Sequence, residues 1–211
     1  MEFIRSVLSL YIERSDWFLS LLADHIRLSA TAIGIAGIIG FTIGVIISEK
    51  RRFASVIIGI CNMCYTVPAI SMLGLLIPFL GIGNTTAITA LSIYAIMPMV
   101  RNTYTGLTTI DEDIIEAARG MGSTDLQIML RVKVPLALVT ILSGIRQMTV
   151  MTISMAGIAS FVGASGLGVA VFRGISVFNP AMTFAGGLLI ALLAIVSDNL
   201  LGLLERILKK R

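Results

Sequence analysis

From Phe53 to Val100 the chain carries no charged residue. A helix crossing the hydrocarbon core of a bilayer needs about twenty apolar residues, so this run is too long for one crossing and too apolar for a water-facing surface. The cluster Gly81-Ile82-Gly83-Asn84 supplies a turn that would divide it into two crossings. The uncharged stretch Leu28 to Ser48 provides another directly. With 13% charged and 56% apolar residues among 211, there is too little charge to cover a soluble globule. The chain reads as an all-α integral membrane protein.

Spans are expected at about 28–48, 55–80, 85–106, 134–159 and 180–202, five within a membrane region 27–205. Pro68 and Pro78 in the second and Pro98 in the third favour kinks, tolerable where neighbouring helices cover the freed carbonyls. Residues 1–26 read as an external or interfacial segment. Phe3, Ile4, Val7, Leu8, Tyr11 and Ile12 recur there at helical spacing, which suits an amphipathic helix on the membrane surface. Glu2, Glu13, Arg14 and Asp16 fit no secretory signal, so the first span serves for insertion.

Lys and Arg near span ends set the direction. One side collects Lys50, Arg51, Arg52, Arg101, Arg119, Arg131 and Lys133, together with Arg206, Lys209, Lys210 and Arg211 of a tail 206–211. The other has Arg5, Arg14, Arg27 and Arg173. The amino terminus is therefore expected outside and the carboxyl terminus in the cytoplasm. The formal charge of +4 is scattered over these ends and forms no stripe that could track phosphates, so nucleic acid is not an expected partner.

The composition also removes several chemistries. Cys61 and Cys64 lie in an apolar run, and His25 is the one histidine, so zinc binding lacks ligands and a redox pair lacks access; small residues packing in a helix account for them. No GxxxxGK[ST] or HExxH occurs, and no nucleophile–histidine–carboxylate set is credible. Neither catalysis nor a cofactor is expected. Gly34, Gly37, Gly40 and Gly44 would let another helix approach the first span closely. Arg146 and Asp198 are the ionisable groups nearest the membrane interior; a functional role, snorkelling and mutual pairing all fit their positions.

The two halves are joined by a polar stretch, residues 111–133, expected on the cytoplasmic side. Asp111 is a plausible cap for a helix in which Ile114, Ile115, Ala118 and Met121 share a face. Gly120 and Gly122 break it, Ser123 or Thr124 can cap a second short helix bearing Leu126, Ile128, Met129 and Leu130, and Pro135 opens the next span. The geometry is a lever lying on the cytoplasmic face.

This stretch resembles the cytoplasmic loop of binding-protein-dependent ABC importer permeases. That loop carries EAA, three residues, Gly, nine residues, Ile, one residue, Leu-Pro; here stand Glu116-Ala117-Ala118, Gly122, Val132, Val134 and Pro135, with two conservative valines. The resemblance implies the five-span permease fold of type I importers, and a coupling helix that inserts into a groove on a separate ABC ATPase subunit. Glu116 would make polar contacts there, Ala117 and Ala118 permit close approach, and Gly120 and Gly122 shape the turn. It further implies an extracytoplasmic solute-binding protein, a second permease subunit that is a copy or a paralogue, and residence in a prokaryotic cytoplasmic membrane.

Thr66-Val67-Pro68, Leu75-Leu76-Ile77-Pro78, Gly81-Ile82-Gly83, Arg101 to Gly106 and Phe161 to Gly168 resemble permeases for glycine betaine, carnitine and choline. Ser154-Met155-Ala156-Gly157, in place of the usual Gly-Thr-Ala, and Ser165, in place of a second loop glycine, depart from that group. An amino acid or amino-acid betaine stays open as the solute. A self-sufficient secondary transporter or channel is the more distant alternative, but five spans offer no inverted repeat and membrane carboxylates are few. Residues 157–174 are glycine-rich and either meet an external protein or simply connect two spans.

Overall fold

The computed structural model describes residues 2–209, and every regular element among them is helical. Met1, and Lys210 and Arg211 of the expected tail, lie outside the described residues. Helix α1 spans Glu2–Glu13, α2 Ser15–Glu49, α3 Ala54–Thr66, α4 Ala69–Leu80, α5 Asn84–Thr108, α6 Glu112–Gly120, α7 Asp125–Ile128, α8 Val134–Ala156, α9 Gly168–Ser176 and α10 Pro180–Lys209.

Helix α5 occupies the centre, held between α2 and α8. The close approach follows from residue size. Gly40 and Gly44 of α2 face Met99 and Thr103 of α5 with no room for a Cβ, whereas Gly37 meets Met148 of α8 and Gly34 faces open space, so two of the four glycines seat α5. Ala36, Ala95, Met99, Leu107, Ala137, Ile141 and Met148 fill the space where the three helices meet. Because protein covers α5 on both sides, it can carry polar residues: Thr86, Ser92 and Thr103 are buried within the bundle.

Helix α2, the continuous run Asp125–Ala156 and α10 are long and apolar enough to cross a membrane, and the bent pair α3–α4 makes a fourth candidate. Where the sequence suggested one kinked crossing over 55–80, the chain turns through 96° between two helices. Val67 and Pro68 are extended there, with ψ of 129° and 138°. The proline ring excludes Val67 from the helical region and brings no N–H of its own. The buried Tyr94 of α5 donates its hydroxyl hydrogen to the Val67 carbonyl that the break sets free. Pro78 sits inside α4 without ending it. Tyr94→Phe should therefore cost about 1 kcal/mol and lower the melting temperature of the purified protein by about 2–4 °C. An unchanged melting temperature would mean that this hydrogen bond does not anchor the bend.

The amino-terminal helix forms as its spacing suggests, but its apolar residues divide. Val7 is buried, and the Tyr11 hydroxyl donates to the Ala185 carbonyl of α10 at 2.7 Å. Ile4, Leu8 and Ile12 point outward. Helix α2 starts at Ser15, well ahead of residue 28. Its charges ended the apolar run on paper, but Asp24 and Arg27 are on an exposed face, 3.8 Å apart, and leave the backbone helical.

At the end of the bundle opposite 111–133, residues 157–174 form a 3₁₀ turn, Ile158–Val162, and helix α9, which folds back along α10. Asn84 Oδ1 accepts from the Ser165 N–H at 2.8 Å and from its hydroxyl at 3.2 Å. The Gly83 N–H donates to the Val162 carbonyl at 2.8 Å.

Candidate functional site

The stretch 111–133 folds as two short helices and a widened turn. Asp111 caps α6, its carboxylate accepting from the Asp113 N–H at 3.1 Å, and Glu112 and Asp113 in the first turn complement the helix dipole. The helix stops at Gly120. Gly122 follows with φ +84°, a left-handed conformation that costs glycine little and other residues much. Its N–H donates to the Arg119 carbonyl at 2.9 Å, and the Ser123 N–H donates to Ala118 at 3.2 Å, so the carbonyls at the end of α6 are satisfied within the turn.

Of the two possible caps, Thr124 is the one used. Its hydroxyl accepts from the Gln127 N–H at 3.3 Å while the Gln127 side chain accepts from the Thr124 N–H at 2.9 Å, a reciprocal capping box. Arg119 donates to Asp125 at 3.1 Å across the turn, tying α6 to α7; both side chains are largely exposed, so this pair adds little to stability.

A π-helical turn, Met129–Lys133, connects α7 to α8. Pro135 stands in the first turn of α8 and lacks the N–H that an upstream carbonyl would need, and the helix is widened directly before it. Met129 packs into the core between α2, α5 and α8, and Ile128 is buried as well. Lys133 Nζ donates to Glu49 Oε1 at 2.6 Å, fastening the turn to the end of α2.

The residues singled out by sequence do not all face the same way. Glu116, Ala117, Gly120 and Gly122 are exposed, together with Pro135 beyond them. Ala118 is buried, 4% exposed, so only one alanine of the pair presents a small side chain to the outside. Four apolar side chains share the exposed surface: Ile114, Met121, Leu126 and Leu130, with Met121 81% and Leu126 68% exposed. Sequence periodicity groups Ile114, Ile115 and Met121 with Ala118 on one face, of which Ala118 alone is fully buried. Helix α6 is too short to settle which part of a broad apolar stripe turns inward.

Arg146 and Asp198, whose relation the sequence left open, are brought together across α8 and α10. Glu205 joins them, a partner the sequence reading missed. Its spacing from Asp198, two helical turns along α10, is the signal that would have found it.

Residues 19–210 match the family described as binding-protein-dependent transport system inner membrane component. The carnitine transport permease protein OpuCD of Listeria monocytogenes is 36% identical over 207 residues, covering 98% of this chain and 93% of that protein. The osmoprotectant import permease protein OsmW of Salmonella typhimurium is 40% identical over 202 residues, covering 93% and 94%. A chain of the MetNI methionine ABC transporter in an inward-facing conformation has the same fold, with a TM-score of 0.82 at 22% identity over 93% of this chain and 98% of its own. Over nearly its whole length, this chain belongs to the family of binding-protein-dependent transport system inner membrane components.

Proposed function

We propose that this chain is the permease subunit of an ATP-driven importer of quaternary ammonium osmoprotectants such as glycine betaine, carnitine or choline, coupled to a separate ATPase through residues 111–133. The observation that carries the reading is the exposed surface of Glu116 and Ala117 on α6, Met121 in the turn that follows and Leu126 on α7, which runs without interruption into α8. A partner that grips this surface acts on a membrane helix directly. Glu116 offers the charge, Ala117 the close approach, Gly122 the turn, and the four exposed apolar residues the contact area. Permeases of carnitine and other osmoprotectants among the relatives support the solute class.

The protein resides in the inner membrane and works with a binding protein that delivers the solute. In this reading α5, shielded by α2 and α8, is a fifth crossing besides α2, the α3–α4 pair, α8 and α10. The amino terminus faces outward and the loop faces the cytoplasm. Two permease chains form the route, and two ATPases move their loops between inward- and outward-facing states. Residues 157–174 lie on the outer rim where the binding protein docks.

Reconstitution with the ATPase and binding protein tests this. Uptake of radiolabelled glycine betaine, carnitine or choline should require ATP and all components, and Glu116→Arg should lower it at least about tenfold, in line with a like-charge or unpaired contact at a docking surface. Gradient-driven uptake by this chain alone, or full coupling in the Glu116→Arg complex, would overturn the proposal.

A further inference from the structure

Helices α8 and α10 border an open groove of about 480 Å³ lined by Ser143, Arg146, Gln147, Val150, Met151, Asp198 and Glu205. Its polar groups are held in a fixed pattern. Arg146 Nε and Nη2 donate to the two oxygens of Asp198 at 2.5 and 2.7 Å, and Nη1 donates to Glu205 at 3.4 Å. The Ser143 hydroxyl donates to the other Glu205 oxygen at 3.0 Å. Gly202 of α10 makes room for the guanidinium, since a Cβ there would come 3.2 Å from Arg146 Cζ.

Three charged side chains lie in a helical region that is otherwise almost entirely apolar, and they remain open: Arg146 is 38% exposed, Asp198 36% and Glu205 25%. An unpaired charge facing hydrocarbon is costly, most of all at the depth of Arg146, midway along α8. One guanidinium against two carboxylates leaves a formal charge of −1 that no other group in the groove offsets. This combination fits water and a cation.

We propose that the α8–α10 groove is a water-filled stretch of the transport route, and that its net negative triad favours cationic groups, the quaternary ammonium of the solute in particular. The proposal rests on the transport reading above. The chemistry matches on two counts. A quaternary ammonium has no N–H, so it does not compete with Arg146 and Ser143 for the carboxylate lone pairs and is attracted by charge alone. Its methyl groups have Val150 and Met151 to lie against. A groove with apolar walls and one sign of charge concentrates the matching ion, and its size falls within the range of about 300–1,000 Å³ usual for small-molecule sites.

Thiol labelling in proteoliposomes containing the complete transporter tests this. In a Cys61→Ala, Cys64→Ala background, Gln147→Cys and Val150→Cys place thiols in the groove and Leu200→Cys places one on another face of α10. Thiolates form and react in water. The trimethylammonium-bearing methanethiosulfonate should modify both groove variants at least about tenfold faster than Leu200→Cys, and at least about tenfold faster than the sulfonate-bearing reagent does. Glu205→Gln leaves the Arg146–Asp198 pair intact and brings the triad to neutrality; it should reduce the preference for the cationic reagent by about tenfold. Excess choline should slow labelling. Groove thiols as inert as the Leu200→Cys thiol, or a charge preference unmoved by Glu205→Gln, would overturn the proposal in vesicles that take up solute on ATP. Absence of ATP-driven uptake by the unmodified transporter would instead count against the transport reading.

Discussion

Gly122→Val is expected to leave the protein inserted and folded while ATP hydrolysis and solute uptake separate. At φ +84° the native turn is one that valine, branched at Cβ, adopts only with strain of about 1–3 kcal/mol. Since 1.4 kcal/mol is a factor of ten in an equilibrium constant, the population holding the α6–α7 turn should fall between about fivefold and a hundredfold. Nothing lies within 4 Å of the position a Cβ would occupy, so the effect comes from backbone conformation and not from a clash with the bundle. The turn is fastened to the core only further along, at Ile128 and Met129, which the substitution does not touch. Assembled with its ATPase and binding protein, the variant should therefore show normal abundance and melting, with solute transported per ATP reduced about tenfold or more. Gly122→Asn, which tolerates the left-handed region, should recover part of the loss. Wild-type transport by Gly122→Val would mean that the turn geometry is not what the ATPase recognises.

Gly168→Val should produce the opposite pattern, a loss of protein and not of coupling. A Cβ at Gly168 would run into the Gly157 carbonyl, a backbone group that cannot swing aside as a side chain does. Two further glycines of the same hairpin, Gly174 against Thr183 and Gly186 against Ala170 and Val171, show how tightly α9 is pressed onto α10. Separating these elements would open the cluster of Leu167, Ala170, Ala181 and Ala185 beneath them. Overpacking of this kind costs about 1–3 kcal/mol, and more where backbone opposes it, so the melting temperature of the purified protein should fall by about 5–10 °C. Gly59→Ala, in open space on α3, serves as the control and should change melting little. If Gly168→Val melted with the parent protein, α9 would have to sit away from Gly157.

What could be read from residues alone follows the range of the interactions. The turn at Gly122 and the cap at Thr124 are decided within a few residues, by a left-handed backbone and a reciprocal pair of hydrogen bonds, and both are visible in the letters. The break at Pro68 is likewise local, but its 96° angle is not, because Tyr94 is brought to the Val67 carbonyl by the packing of α5. Helix α5 looks like an ordinary crossing on paper. Its place at the centre shows only once Gly40 and Gly44 are seen to seat Met99 and Thr103, a match between two helices that neither sequence announces. Ala117 and Ala118 are identical letters with opposite surroundings, the first exposed and the second buried, a difference set by how α6 lies against the rest of the fold. Glu205 was not singled out in the sequence, and its contact with Arg146 depends on the register of α10 against α8.

Asp125 to Ala156 is one unbroken helical run of 32 residues, π turn included. At 1.5 Å per residue it measures about 48 Å, against about 30 Å of hydrocarbon. It is a pushrod longer than the wall it passes through. A tilt of about 5° imposed at the Asp125 end would swing the far end by about 4 Å on that length, and Arg146, partway along, would slide past Asp198 and Glu205 as it did so. In the proposed function, the surface offered to the ATPase and the charges in the groove are thus attached to a single helical shaft.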